Sequence, residues 1–473
     1  MPKAAAIVLI TADELRRDAL GCYGGQAVPT PSLDGLAVES ICFDRAWANS
    51  PWCLPSRCTL LTGLYPHNHG AYSNFRPQRL SPEIPNLYHL LRAAGYSTSH
   101  VGKCHYAPVP YGQTRRTETQ PNDALPSYYR SLGLDHLALQ DDKQVSVWFI
   151  DDYSRELAEA GYLSAYREAI WDATNRKVFA FPGPAKWHPD AWVGRKAVER
   201  ILHYGDPRPF FLWVSFSGPH FPFDAPTEYL ERVEDARVGQ GVYQEGEFDD
   251  PGRIHHRSFH GRGGIEGADS APEKACKNHS AAYWHALRKA YFANVALIDD
   301  QVGAVLSALS QRFGDEVCVL FTADHGEMLG NHRLWGKNAC AYEDVLGVPL
   351  LLRAPGLTPR REDAAVALVD LLPTCLRLAG AEPPAVDGRD LITLAGEGGR
   401  RYLFSEGEGF MAVRDGRFKY VRRVTAERAY TELFDLEADP GEFFNVSEDE
   451  RWAPQRASLE QAIVDLLMRS LLL

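Results

Sequence analysis

Three apolar runs in this chain stop short in side chains that carry charge or exchange a proton, and nothing else in the sequence narrows its fold as much. Ala4 to Thr11 runs into Asp13 and Glu14, Phe210 to Phe216 into Ser217-Gly218-Pro219-His220, and Glu316 to Phe321 into Asp324 and His325. A further strand-like stretch, Tyr96 to Val101, leads into Gly102-Lys103-Cys104-His105. Apolar runs without alternation suit strands buried on both faces, and such strands belong to parallel sheets covered by helices. These sheets hold their chemistry beyond the carboxyl ends of the strands. Helical stretches at Pro85 to Ala94, stopped by Gly95, at Trp192 to His203 and at about Ala281 to Arg312 would supply the covering layers. The expectation is an α/β fold on a mostly parallel sheet, with these polar residues gathered at one edge.

Cys53 to Gly63 reads Cys-Leu-Pro-Ser-Arg-Cys-Thr-Leu-Leu-Thr-Gly. Pro55 suits a first helical turn and Gly63 a helix stop, so the stretch predicts a short helix with Cys53 at its mouth. Amides left free there, with Arg57 one turn on, would favour an anion. The net charge of -12 argues against a general polyanion-binding surface, because nucleic-acid binding rests on basic patches. An anionic substrate must therefore meet a local positive pocket. Nine cysteines without framework spacing argue against a disulfide scaffold and for a reducing cytoplasm. Ala4 to Ile10 is too short for a signal peptide or a membrane helix, so no membrane association is expected.

Cys53, Pro55, Ser56 and Arg57 resemble, position for position, the signature Cys-x-Pro-Ser-Arg of the sulfatase family, in which dedicated machinery oxidises the cysteine to formylglycine. Gly95-Tyr96-Ser97-Thr98 followed by Gly102-Lys103-Cys104-His105 is similar to the family's second signature. The resemblance covers nearly the whole chain outside two long insertions. It implies an alkaline-phosphatase-like α/β fold and formylglycine- and metal-dependent hydrolysis of sulfate monoesters, of the arylsulfatase type, through a covalent sulfo-enzyme intermediate. It further implies one divalent ion, calcium with manganese as the alternative, held by Asp13, Asp324, His325 and the group derived from Cys53. Glu14 is the remaining metal candidate, standing where the family has a second aspartate. Arg57, Lys103, His105, His220 and Lys337 of Gly336-Lys337 match catalytic positions, and Asn74, 21 residues past Cys53, a substrate contact. Typical sulfatases carry Asp-Asn where this chain has Asp324-His325. Phosphonate monoester hydrolases of the same superfamily carry Asp-His, so phosphonate monoester or phosphodiester hydrolysis on the same site is the alternative. The partners implied are a small sulfate ester, the formylglycine-generating machinery and further copies of the chain in a dimer or tetramer.

By organisation, residues 1–382 read as a catalytic unit with insertions at about 107–190 and 233–279. The first reads as an excursion over the sheet edge, the second as a flexible lid or an arm toward a neighbouring subunit. His67 and His69 read as loop hydrogen bonding, and His255, His256 and His260 lack the partners of a metal site. Beyond Pro383-Pro384, short alternating segments at Tyr402 to Glu406, Phe410 to Arg414, Phe418 to Val421 and Glu432 to Leu436 predict a small antiparallel sheet within 383–473. The apolar C-terminus reads as the end of an amphipathic helix.

Overall fold

The computed structural model describes residues 3–74, 77–108, 124–172, 178–260, 276–337 and 341–472. Its main sheet has nine strands: β1 (Ala6–Asp13), β2 (Ile41–Trp47), β3 (Ser97–Gly102), β4 (His136–Leu139), β5 (Phe210–Pro219), β6 (Val317–Ala323), β7 (Gly347–Val348), β8 (Leu350–Arg353) and β9 (Arg360–Ala367). They lie in the order β4-β3-β5-β1-β6-β8-β2-β7, with β9 also paired to β2. The five strands from β4 to β6 run parallel, whereas β8 is antiparallel to β6 and to β2, so the sheet is mixed. Each residue of β1, β3, β5 and β6 is buried, which explains why the sequence there shows no in-out alternation.

Register carries the polar strand ends to one place. Ala12 faces Ala323, so Asp13 and Asp324 leave the sheet side by side; on the other flank Asp13 faces Pro219, so His220 follows next to it. Gly102 faces Ser215, and a side chain at Gly102 would put its Cβ 2.0 Å from the Ser215 carbonyl oxygen, at a backbone φ of 104°. Only glycine allows β3 to turn Lys103 into the site at that point.

The helix Ala281–Phe313 packs on β5 and on the helix Pro189–Leu202. It is long and apolar enough to cross a bilayer, yet 67% of its most apolar window is buried against the rest of the protein. A second sheet, β10 (Leu403–Gly407), β11 (Phe410–Arg414), β12 (Phe418–Val424) and β13 (Ala429–Asp435), is antiparallel throughout, and the helix Ala453–Arg469 covers it.

Both insertions carry more regular structure and burial than the sequence suggested. The first supplies the edge strand β4 and the helices Ala124–Ser131, Lys143–Ser146, Asp152–Glu159 and Leu163–Asp172. Short segments broken by Pro, Asp and Tyr hid that order. The described part of the second, 233–260, is no free lid: Val238, Phe248, Ile254 and Phe259 are buried, and Arg253 pairs with Glu432 at 2.8 Å. Its remaining residues up to 275 lie outside the described residues. His67 bonds Glu406 at 2.6 Å, His69 bonds Thr59 at 3.2 Å, and His256 and His260 both reach the Phe248 carbonyl.

Candidate active site

Cys53 is the first residue of the helix Cys53–Thr62, which ends at Gly63, and all ten of its residues are buried. The helix points its N-terminus at the carboxyl edge of β1 and β6. Cys53 Sγ lies 3.4 Å from Asp13 Oδ1, 3.3 Å from His325 Nε2 and 3.0 Å from Lys337 Nζ. One ligand atom each from Asp13, Cys53, Asp324 and His325 falls within 4.8 Å of the others.

The surroundings of these four show what the cluster is built to hold. The outer carboxylate oxygens are tied to cations: Asp13 Oδ2 to Lys103 Nζ at 2.5 Å and to Arg57 at 3.4 Å, Asp324 Oδ2 to Arg57 Nε at 2.8 Å. Burial alone would raise the Asp13 carboxyl, but Lys103, His220, Arg57 and Lys337 together hold it well below the usual range. His325 Nδ1 lies 2.9 Å from the Gly326 carbonyl, to which it must donate, so Nε2 presents its lone pair to the cluster. Burial pushes this imidazole down to about 4, which keeps it neutral, as a metal ligand must be. Two carboxylates, one lone-pair nitrogen and the Cys53 position converging in a dry site fit a single divalent cation. Glu14 stands apart from this set. Its backbone takes φ 63°, its amide donates to Asp324 Oδ1, and its carboxylate lies 3.0 Å from Lys337 Nζ and 3.9 Å from His220 Nε2. Burial, with Glu327 and Asp13 adding repulsion, pushes Glu14 well above the usual carboxylate range against the pull of Lys337.

Arg57 is fully buried, and its donors are committed to Asp324, Asp13, the Lys103 carbonyl and Ser215 Oγ. The sequence suggested that Arg57 and free helix amides would meet an anion. Here Arg57 fixes the two carboxylates, and the Leu54 amide donates to Asn74 Oδ1 at 3.0 Å. Asn74 thus braces the mouth of the Cys53 helix.

His105 is wholly buried with φ 50°, and neither ring nitrogen has a hydrogen-bond partner among the described residues. An unpartnered buried imidazole is costly and calls for a ligand to complete it. Burial, then the charges of Lys103 and Arg57, push it well below the ordinary histidine value. His220 is lowered likewise, by burial and then Lys337, and its Nδ1 bonds the Phe221 carbonyl at 2.6 Å.

Sequence reasoning missed Asp141 and Asp142, just beyond β4. Asp142 holds Lys103 Nζ at 2.8 Å, and Asp141 Oδ1 accepts the amides of Cys104 and His105. The signal was the one read at Asp13 and Asp324, a strand running into carboxylates, but His-Leu-Ala-Leu is too short to stand out.

The sulfatase family model matches residues 5–381, and the model described as N-sulphoglucosamine sulphohydrolase, C-terminal, matches residues 330–469. The chain is 29% identical over 478 residues to an uncharacterized sulfatase, YidJ, of Escherichia coli strain K12, spanning 98% of this chain and 87% of that protein. It is 27% identical over 480 residues to an arylsulfatase of Clostridium perfringens, spanning 97% and 93%. A solved phosphonate monoester hydrolase of Agrobacterium radiobacter aligns with a TM-score of 0.81 at 24% identity, over 98% of this chain and 96% of that one, a likeness of fold.

Proposed function

Because the chain belongs to the sulfatase family and is a sulfuric ester hydrolase, we propose that it cleaves sulfate monoesters of the arylsulfatase type, with Cys53 oxidised to formylglycine as the nucleophilic residue. The observation that carries this reading is the seat of Cys53, with its Sγ within 3.4 Å of Asp13, His325 and Lys337 and its whole side chain shut off from solvent. Burial, and next the charge of Asp13, push the thiol well above its ordinary value, so unmodified Cys53 is a poor nucleophile. The hydrated formylglycine supplies two hydroxyls, one to accept the sulfuryl group and one whose deprotonation expels sulfate. Asp13, Asp324, His325 and the modified residue would hold one divalent ion, which would supply Lewis acidity toward the attacking hydroxyl and the ester oxygens. Calcium suits the carboxylates, and the imidazole of His325 makes manganese the alternative.

The remaining roles belong to the chain's own side chains. Lys103 and Lys337 give a fixed positive field for the charge that develops on the transferred group. His105, neutral and with no ring partner among the described residues, takes the proton from the second hydroxyl. His220 serves the leaving oxygen: its Nδ1–H is spent on the Phe221 carbonyl, so Nε2 donates only as imidazolium, a state the bound ester's negative charge favours. Asn74 would reach the substrate only from its post beside Leu54. The test is mass spectrometry of the Cys53 peptide alongside aryl sulfate turnover; full activity from wholly unmodified enzyme would refute the reading.

The Asp324-His325 pair favours a second reading, hydrolysis of phosphonate monoesters or phosphodiesters, whose reacting centres also carry a single charge. Kinetics on an aryl sulfate, an aryl phosphonate and a phosphodiester, compared side by side, would rank the two.

A further inference from the structure

We propose that the second insertion holds the site's Lys337 in place, with Glu247 as the positioning residue. This rests on the reading of Lys337 as the cation at the transferred group. Lys337 sits on a stretch with little regular structure, yet its ammonium is placed 3.0 Å from both Cys53 Sγ and Glu14 Oε1. Five residues to either side stand His332 and Tyr342, and both meet one carboxylate oxygen of the insertion. His332 Nδ1 lies 2.5 Å from Glu247 Oε1, and the Tyr342 hydroxyl donates to that oxygen at 3.3 Å. The two rings stack on each other at 4.1 Å and 18°. Arg253, also of the insertion, donates to the Tyr342 hydroxyl at 3.1 Å and to Glu432 at 2.8 Å, which ties the clamp to β13. Glu247, Arg253, His332 and Tyr342 are all buried.

The backbone adds a second attachment. The His332 amide donates to the Val242 carbonyl, and the Val242 amide to Asn331 Oδ1. Gly241 approaches so closely that a Cβ there would lie 2.1 Å from the Gly330 carbonyl oxygen. The stretch needs such support, because Leu329, His332 and Arg333 all take left-handed φ of 49–55°. A left-handed backbone at a residue with a side chain is strained and persists only where surrounding contacts enforce it. The insertion supplies those contacts at the point from which the lysine departs.

The test is a double-mutant cycle on the modified, metal-loaded enzyme, read as kcat and KM for an aryl sulfate. Lys337→Met should lose activity whatever Glu247 does. Glu247→Leu should lower kcat/KM by on the order of tenfold in the parent and by no more than about twofold in the Lys337→Met background, since coupled residues are not additive. Glu247→Gln keeps an acceptor oxygen for both rings and should retain most activity. Tyr342→Phe, which removes one hydroxyl, should show a smaller loss that likewise disappears with Lys337→Met, and it decides the matter should Glu247→Leu fail to fold. Equal losses in both backgrounds, or parent-like kinetics of Glu247→Leu or of folded Tyr342→Phe beside an impaired Lys337→Met, would overturn the clamp. A fully active Lys337→Met would instead overturn the reading of the lysine.

Discussion

Arg57 joins the two carboxylates of the candidate metal cluster from a position with no solvent contact. Removing one partner of a buried ion pair leaves its charge uncompensated, at a cost of about 3–5 kcal/mol. Arg57→Met should therefore lower the unfolding free energy extrapolated from denaturant titration by that much, and Arg57→Lys should not restore it, because a point charge cannot reach Asp324, Asp13, Ser215 and the Lys103 carbonyl together. A variant with parent-like stability would show that the cluster tolerates its charges unpaired. The two histidines separate kinetically. His105→Ala should release alcohol in a first turnover and then stall with a modified enzyme; His220→Ala should slow the first step, more for alkyl than for aryl esters, whose better leaving groups need less help. Quench-flow with both ester types checks this, and equal effects without accumulated enzyme would reverse the assignments. The candidate site was legible where a strand runs straight into a polar residue, as at Asp13, Lys103, His220 and Asp324. It was not legible at Asp142 and Glu247, whose partners Lys103 and His332 lie 39 and 85 residues away.

At the scale of elements, the close approach of β3 to β5 sets where Lys103 and His105 emerge. Gly102→Ala would drive a methyl into the Ser215 carbonyl at a φ that an alanine rarely takes. The variant should lose more than about 1 kcal/mol and lose activity beyond that share, since the turn aims Lys103 and His105 into the candidate site. Denaturant titration and kcat together check this; a stable but inactive protein would show strain taken up by Lys103 alone. The strands with unbroken apolar sequence, β1, β5 and β6, were foreseen because two-sided burial writes itself into composition. β9 was not, because Arg360-Arg361-Glu362-Asp363 opens it on a largely exposed edge, and β2 was not, because Asp44 and Arg45 interrupt it. Neither violates strand physics: β9 pairs with β2 alone among the strands of the sheet and opens exposed, and in β2, paired on both sides, Asp44 and Arg45 are only half-buried.

For the whole molecule, the two sheets are tied by His67, which follows the Cys53 helix and meets Glu406 of β10 with both its amide and its ring, while Nε2 reaches Ser470 beyond the last helix. Burial alone would lower this imidazole, but the Glu406 hydrogen bond and charge raise it above 6.5. The folded protein then binds the extra proton more readily than the unfolded chain. The contribution is full below about pH 6.5 and is lost as pH rises through the higher folded value. His69 and His100 act oppositely: burial pushes each down to about 3, so the unfolded chain takes up their protons first and stability falls as pH drops below about 6.5. Stability should therefore peak near neutrality, with an acid limb owed to buried neutral histidines and a shallow alkaline limb owed to His67. His67→Gln should flatten the alkaline limb between pH 6 and 9 and leave the acid limb in place, as measured by urea unfolding across that range. If the variant keeps the parent's fall above pH 6.5, the tie between the sheets does not depend on a charged His67, and the alkaline limb belongs to other groups.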